Sequence, residues 1–362
     1  MNPKTSRQKG ALAEQSPQES LAITTSRGFS QWLESVQSAL AFTTYQAGKL
    51  FFLGVKHDGD LAIFERTFAR SMGLGVSSDG RAIALATQYQ IHRFDNVVPA
   101  GQSSAGETDA VYAPHAAWVT GDLDTHDVAF GPDLRPIFVN TLFSCIASVS
   151  DGHSFRPVWT PTFVSRLAAE DRCHLNGFAV EAGVPRYATA VSRSDVSDGW
   201  RDRRHDGGVI IEVDNGEVVT HGLSMPHSPR LHDGRLWLLN SGTGDFGYID
   251  FQTGRFEPVA FCPGYARGLA FAGNHAIVGL SQPRENITFS DLPLDSALRE
   301  RDTEPRCGLA IINLSTGDMT AWVRIQGLVR ELYDVAVLPN VKRPSLIGFK
   351  SDQVRYVISI DE

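Results

Sequence analysis

Past the first few dozen residues the chain alternates short apolar runs with Gly, Asp, Asn and Pro, the pattern of strands joined by tight turns. One segment type returns six times: Met72-Gly-Leu-Gly-Val, His126-Asp-Val-Ala-Phe, Asn176-Gly-Phe-Ala-Val, His227-Ser-Pro-Arg-Leu, Arg267-Gly-Leu-Ala-Phe and Tyr333-Asp-Val-Ala-Val. A turn and a second apolar run follow each copy: RAIALAT, RPIFVNT, RYATAVS, RLWLLNS, HAIVGLS and SLIGFK. Several copies then add a strand, a Gly-bearing turn and another strand, as in GYIDFQTGRFEPVAF, LAIINLSTGDMTAWV and VIIEVDNGEVVTHG. Four antiparallel strands per unit result.

The copies start 54, 50, 51, 40 and 66 residues apart, close to the ~40–50-residue repeat of propeller blades. A sandwich does not repeat a four-strand unit, so the pattern predicts an all-β fold, a single β-propeller. Six blades are expected, with seven as the alternative. The stretch LAFTTYQAGKLFFLG…DLAIFERTF looks like the last three strands of a blade, and YDVAVLP…SLIGFK…VRYVISI like the first three. Both termini are therefore expected to share a closing blade. Residues 1–28 read as a disordered tail rich in Gln, Ser, Lys and Pro, which leaves 29–362 as the propeller domain. One short helix is expected over residues 30–38, with Trp32, Leu33 and Val36 on one side. The longest interval holds a polar insertion, residues 283–306.

In a propeller the first strand of each blade lines the central channel, and strand side chains alternate in facing. One ring of axial positions is then Met72, His126, Asn176, His227, Arg267 and Tyr333. Two residues earlier, nearer the mouth, lie Arg70, Asp124, His174, Met225, Tyr265 and Glu331. A lone histidine in a β-protein is most often a hydrogen-bonded structural residue. His126, His174 and His227 come from consecutive blades, however, and together suggest a divalent transition metal, with Asn176 as a further candidate ligand. Three protein ligands and an open position is the layout of a catalytic metal site, and imidazole suits zinc, iron or copper. Tyr333, Asp124 and Glu331 are candidates for moving protons, and Arg267 for binding an oxyanion or carboxylate. The remaining histidines lie off this register and read as surface or turn residues.

The turns between second and third strands open on the same face and are polar or aromatic. They offer Tyr45, Gln46 and Lys49, then Asn140, Arg201, Asn240 and Arg284 as substrate-binding candidates, in the kind of loop that carries function on a rigid scaffold. Lys49, Arg193, Arg201 and Arg284 would give the mouth a positive rim suited to a small anion. Ordinary turn chemistry is the simpler account of any single one of these residues.

Composition narrows the partners. A net charge of −8 and no basic stripe argue against nucleic acid. Cys145, Cys173, Cys262 and Cys307 are too sparse and too far apart for a disulfide scaffold or a C-x-x-C metal site. The N-terminus lacks the apolar core of a signal peptide, and no apolar run reaches the ~20 residues needed to span a bilayer. A cytoplasmic protein with reduced thiols and no membrane partner is expected. Gly242-Thr-Gly-Asp-Phe-Gly247 has the form of a dinucleotide fingerprint, but a strand and turn follow it where a helix is required.

The segments Thr44-Tyr-Gln-Ala-Gly-Lys49, Ser71-Met-Gly-Leu74, Thr125-His-Asp-Val128, His174-Leu-Asn-Gly177, Met225-Pro-His-Ser-Pro-Arg230 and Leu239-Asn-Ser-Gly-Thr-Gly244 resemble those of a bacterial conserved-hypothetical family. The resemblance runs from about residue 29 to the C-terminus and implies a fold, not an activity. In site type, His126, His174, His227, Tyr333 and Arg267 are similar to the residue set of peptidyl-hydroxyglycine amidating lyase, whose six-bladed core holds an axial zinc on three histidines. Gluconolactonase-like and strictosidine-synthase-like propellers use the same location with mainly oxygen ligands, from which this chain departs. The expectation is a metal-dependent lyase or hydrolase acting on a small molecule, anions included, or a peptide end. The alternative is a non-catalytic propeller that binds a ligand or protein through its mouth loops.

Overall fold

The computed structural model describes residues 20–104, 107–283, 291–358 and 360. Strand β1 (Ala22–Thr25) and helix α1 (Phe29–Ser35) precede β2 (Ser38–Thr44), β3 (Lys49–Val55) and β4 (Leu61–Thr67). Next come β5 (Leu74–Val76), β6 (Ala82–Ala86), β7 (Gln90–Asn96) and β8 (Ala110–Val119), then β9 (Thr125–Phe130), β10 (Pro136–Asn140), β11 (Cys145–Ser148) and β12 (Arg156–Trp159). The fourth and fifth groups are β13 (Leu175–Glu181), β14 (Val184–Ala190), β15 (Gly208–Glu212) and β16 (Val218–Leu223), and β17 (Pro226–His232), β18 (Arg235–Asn240), β19 (Asp245–Asp250) and β20 (Arg255–Phe261). The last group is β21 (Tyr265–Ala272), β22 (His275–Ser281), helix α2 (Pro293–Glu300), β23 (Gly308–Asn313) and β24 (Met319–Gln326), followed by β25 (Val335–Pro339) and β26 (Pro344–Leu346).

Each group pairs into one sheet, and the inner strands β5, β9, β13, β17, β21 and β25 touch in a closed ring. The fold is a six-bladed β-propeller. Blade one is built by both ends of the chain, but not as expected: β25 alone comes from the C-terminus and pairs antiparallel with β2. The second-strand place is already filled by β2. Only the first two residues of SLIGFK are strand, in β26, which pairs parallel with β8 on the outer edge of blade two, and the VRY of VRYVISI lies in a 3-10 turn at Asp352–Tyr356. On the other side β1 pairs with β24 and gives blade six a fifth strand. Two outer edges are thus covered by the chain's own ends, which blunts them against pairing with other strands. Order accordingly begins ahead of the expected boundary at residue 29; the first nineteen residues lie outside the described ones. Helix α1 starts one residue earlier than expected and ends three residues earlier, with Val36 as its C-cap and Gln37 (φ 49°) ending the turn that follows.

Six apolar cores separate the six blades, each made by the facing sides of neighbouring sheets. Phe42 and Phe51 meet Ile311 and Val323, for example, and Val139 and Ile146 meet Phe178 and Ile211. His92, expected at the surface, is instead buried in the second blade among Phe68, Phe94 and Phe349, and burial pushes its pKa down to about 4. Blades are also stitched by hydroxyls at the end of the second strand. Thr141, Ser241 and Ser281 donate to the carbonyls of Leu175, Ala266 and Leu332 on the next blade, and Thr43 donates to that of Met72. This explains the Thr or Ser that closes RPIFVNT, RLWLLNS and HAIVGLS.

The residue after each axial position alternates around the ring: Gly73, Asp127, Gly177, Ser228, Gly268, Asp334. The alternation is steric. A Cβ on Gly177 would stand 2.5 Å from Pro229, and one on Gly268 (φ 77°) would stand 2.6 Å from the Val335 nitrogen. The space so left lets each polar side chain reach backbone on the neighbouring blade. Phe178 N–H donates to Asp127, Leu74 N–H to Asp334, and Gly268 N–H to Ser228. Arg230 then bridges the axis, with two bonds of 2.7 and 3.0 Å to Asp127 and an approach of 3.7 Å to Asp334.

Candidate functional site

At the mouth, Arg70, Asp124, His174 and Met225 all carry positive φ, between 47° and 57°. Left-handed backbone is uncommon for such residues and clusters at functional sites. Here the bend has a use: it turns the carbonyls of Asp124 and Met225 toward the imidazoles two residues on. His126 Nδ1 lies 2.9 Å from the Asp124 carbonyl and 2.8 Å from Thr141 Oγ1. Since the Thr141 hydrogen goes to the Leu175 carbonyl at 2.6 Å, both neighbours of Nδ1 accept. His227 Nδ1 likewise faces the Met225 carbonyl at 2.8 Å. These partners assign the proton to Nδ1 in both rings and leave Nε2 with its lone pair.

His174 occupies the bend position itself, one step nearer the mouth, and cannot use the same carbonyl. Its Nδ1 faces the Asp171 carboxylate at 2.9 Å instead. The Trp200 indole N–H donates to the same carboxylate oxygen at 2.8 Å, and its ring stacks on His174 with centroids 4.1 Å apart. His174 then meets His126 edge to face at 4.8 Å, while His126 and His227 stand 6.4 Å apart. The three rings converge, although His174 is offset from the other two.

Burial is the main reason the His126 pKa falls to about 4, with the charges of His174 and Arg267 adding to it. The same burial and Arg267 hold His227 well below its ordinary 6.5. Both rings are neutral at pH 7. Burial works to raise the Asp171 carboxyl, but the charge and hydrogen bond of His174 outweigh it, so it sits below its ordinary 3.8. Asn176 donates its amide to His227 Nε2 at 3.3 Å and accepts from Thr189 at 2.8 Å. Among the described residues no three His, Cys, Asp or Glu side chains are already drawn together as a metal cage.

The opposite wall is aromatic and cationic. Tyr333 lies 5.5 Å from His126, stacks on Tyr45 at 5.4 Å, and carries the Arg267 guanidinium 4.9 Å from its ring centre. Glu331 is buried and accepts the Gln46 N–H at 2.9 Å. The Asp124 carboxylate is 39% exposed and 3.7 Å from His126 Nδ1, so its backbone is the closer partner of that ring.

The rim residues serve the scaffold more than an open charge. Lys49 pairs with Glu65, Arg70 with Asp122, and Arg201 with Asp198. Asn140 and Asn240 accept backbone N–H groups of Phe143 and Ser224 and thereby hold their turns. Arg284 lies outside the described residues. Clefts of about 520 and 670 Å³ occur beside β26 on the outer rim of blades one and two. They lie away from the axis, so chemistry marks the axial site better than volume does.

The repeat places Thr141 and Trp200 on mouth turns but gives them no site role, and it does not reach Asp171. Thr141 belongs to the hydroxyl pattern closing each second strand. Asp171 is three residues before His174, a spacing visible in the sequence but outside the blade register. Trp200 packs with Val191, Met225, Tyr265, Leu292, Leu294 and Leu298 in a seventh apolar cluster that belongs to no blade interface. The insertion expected to be polar thus contributes α2, whose buried leucines roof this side of the mouth. Leu294 N–H anchors it to the Gly242 carbonyl.

All four cysteines are free and buried, and burial pushes their thiols up to about 12. No helix among the described residues is long and apolar enough to cross a membrane. The model of a family described as a domain of unknown function, DUF4915, matches residues 27–347. No curated protein sequence matches the chain. Among solved structures, the nidogen/laminin complex contains a chain with a TM-score of 0.53 and 11% identity, covering 84% of this chain and 99% of that one. At this identity the likeness shows the propeller fold alone. TolB from Acinetobacter baumannii (TM-score 0.47, 12% identity, 85% and 67% covered) and virginiamycin B lyase from Staphylococcus aureus (0.37, 11%, 85% and 99%) are more distant.

Proposed function

We propose that the chain, which belongs to the DUF4915 family, is a metal-dependent enzyme of lyase or hydrolase type with its reaction centre on the propeller axis. The carrying observation is that three imidazoles from consecutive blades have Nδ1 tied to an acceptor. A histidine that ligates a metal through one nitrogen nearly always donates the other N–H to a carbonyl or carboxylate, which fixes its tautomer. His126, His174 and His227 would hold a divalent transition metal through Nε2, and His227 would exchange the Asn176 amide for it. Zinc, iron and copper all suit such a donor set. When bound, the metal would supply Lewis acidity or an activated water.

The chain's own groups divide the remaining work. Arg267 is the cation inside the site and suits a substrate carboxylate or a developing oxyanion. Tyr333, between His126 and Arg267, is placed to hold or pass a proton at its phenolic oxygen. Glu331 and Asp124 are the further proton carriers. Tyr45 walls the mouth against Tyr333 and favours a small molecule or the end of a peptide over a broad macromolecular surface. The free thiols fit a cytoplasmic setting.

Metal analysis of the purified protein, grown with zinc, iron and copper supplied, tests this reading. About one equivalent is expected in the wild type and none in a His126→Ala/His227→Ala variant. A wild type without stoichiometric metal would overturn it. The second reading, a ligand-binding propeller without catalysis, would then account for the engagement of His227 by Asn176.

A further inference from the structure

His174 differs from its two partners in what holds it. His126 and His227 are tied to backbone carbonyls of their own blades, which no side-chain change can remove. His174 depends on one carboxylate, Asp171, at 2.9 and 3.2 Å. That carboxylate is itself oriented by the Trp200 N–H at 2.8 Å. Trp200 comes from the long connection between β14 and β15 and is only 2% exposed. It covers the face of His174 on one side and packs against Leu292, Leu294 and Leu298 of the inserted segment on the other. The Tyr265 hydroxyl, 3.4 Å from Asp295 in α2, ties the same segment to the inner strand of blade six.

We infer that Asp171 and Trp200 are positioning residues for His174, and that through Trp200 the insertion carrying α2 sets the aim of one of the three site histidines. This rests on the reading of the axis as a metal site. In that reading Asp171 locks His174 in the Nδ1–H form and raises the basicity of its Nε2, as carboxylates behind metal-binding histidines do. Trp200 holds the carboxylate in plane and keeps water from competing for it. Neither residue touches substrate or metal. The insertion is more than an ornament of the longest blade: repacking its leucines would tilt Trp200 and so shift His174 alone, leaving His126 and His227 on their carbonyls.

The test uses the full chain, stripped of metal and titrated with Co(II), whose visible absorption reports coordination. Asp171→Asn is expected to weaken cobalt binding ~10–100-fold. Asp171→Glu should recover part of that loss. Trp200→Phe, which keeps an aromatic face and removes the N–H, is expected to weaken binding by roughly threefold to tenfold, the scale of one hydrogen bond. In parallel, imidazole ¹⁵N shifts of the metal-free protein report the tautomer of His174. The wild type should show Nδ1–H, and Asp171→Asn a mixture, with His126 and His227 unmoved. Wild-type cobalt affinity in both Asp171→Asn and Trp200→Phe, or an unchanged His174 tautomer in Asp171→Asn, would overturn the inference. Failure of the wild type to bind cobalt removes the metal reading only, since the nitrogen shifts then decide the positioning claim by themselves.

Discussion

Asp127 and Asp334 reach Arg230 across the axis and accept backbone N–H groups from neighbouring blades. The ring beside them, one residue earlier along the same strands, holds His126 and Tyr333. There His126, and His227 with it, turn one nitrogen to a carbonyl and stay neutral. In the first ring both ends of each charged group are satisfied by protein, so it works as a tie across the blades. In the second, the firm tie of each imidazole is at Nδ1, and Nε2 meets at most a neutral amide, that of Asn176 at His227. The contrast separates scaffold from site within a few ångströms, by hydrogen-bond accounting instead of by residue type.

Removing the tie should have the largest effect. Arg230→Met leaves the buried Asp127–Asp334 carboxyl pair without its cation, and a loss of about 3–5 kcal/mol is expected in urea unfolding. The His126→Ala/His227→Ala variant should cost less in the same measurement, because no charge is orphaned. If it cost more, the histidine ring would be the structural one.

The charged ring should also show in the pH dependence of stability. Burial, then the charge of Asp127, raises the Asp334 carboxyl from its ordinary 3.8 to about 7. The folded chain therefore keeps a proton that the unfolded chain has released between those values. Stability from this group is complete below about pH 4 and declines as pH rises through about 7, with a slope of up to about 1.4 kcal/mol per pH unit. Asp334→Asn removes this slope. Unfolding curves of wild type and variant should thus diverge from pH 4 to pH 7, with the wild type losing ground. Parallel curves would mean that Asp334 is ionised throughout.

The smallest effect sharpens the other side of the comparison. Thr141→Val removes the donor to Leu175 and one of the two acceptors at His126 Nδ1. A loss of about 1 kcal/mol is expected, with the His126 tautomer kept by the Asp124 carbonyl. A change of tautomer would show that Thr141, not the backbone bend, holds the ring.

Much of this was readable along the chain. Six copies of one segment predicted the blade count and the axial positions of His126 and His227, because inner strands repeat in register. The closing blade was half legible. YDVAVLP forms the inner strand its pattern predicts, whereas SLIGFK, whose apolar run resembles a second strand, does not take that place, because β2 already pairs with β25 there. The offset of His174 from the other two rings has a physical reason: it sits at a left-handed bend, where alternation of facing no longer says which way a side chain points. Asp171 and Trp200 lie in connections of irregular length, and a repeat cannot forecast their positions. The polar composition of the insertion likewise hides Leu294 and Leu298, which bury against residues of their own blade and of two others.

The shared blade also orders events in time. Glu331, Tyr333 and Asp334 lie just ahead of β25, a strand whose partner, β2, was made almost three hundred residues earlier. Pairing so distant in sequence is slow, because a long loop must close before any contact rewards it. A nascent chain can therefore stack blades two to six in order of synthesis while its mouth lacks one wall. Joining the ring and completing the wall of the candidate site become one step, so an unfinished propeller carries histidines but no Tyr333 beside them.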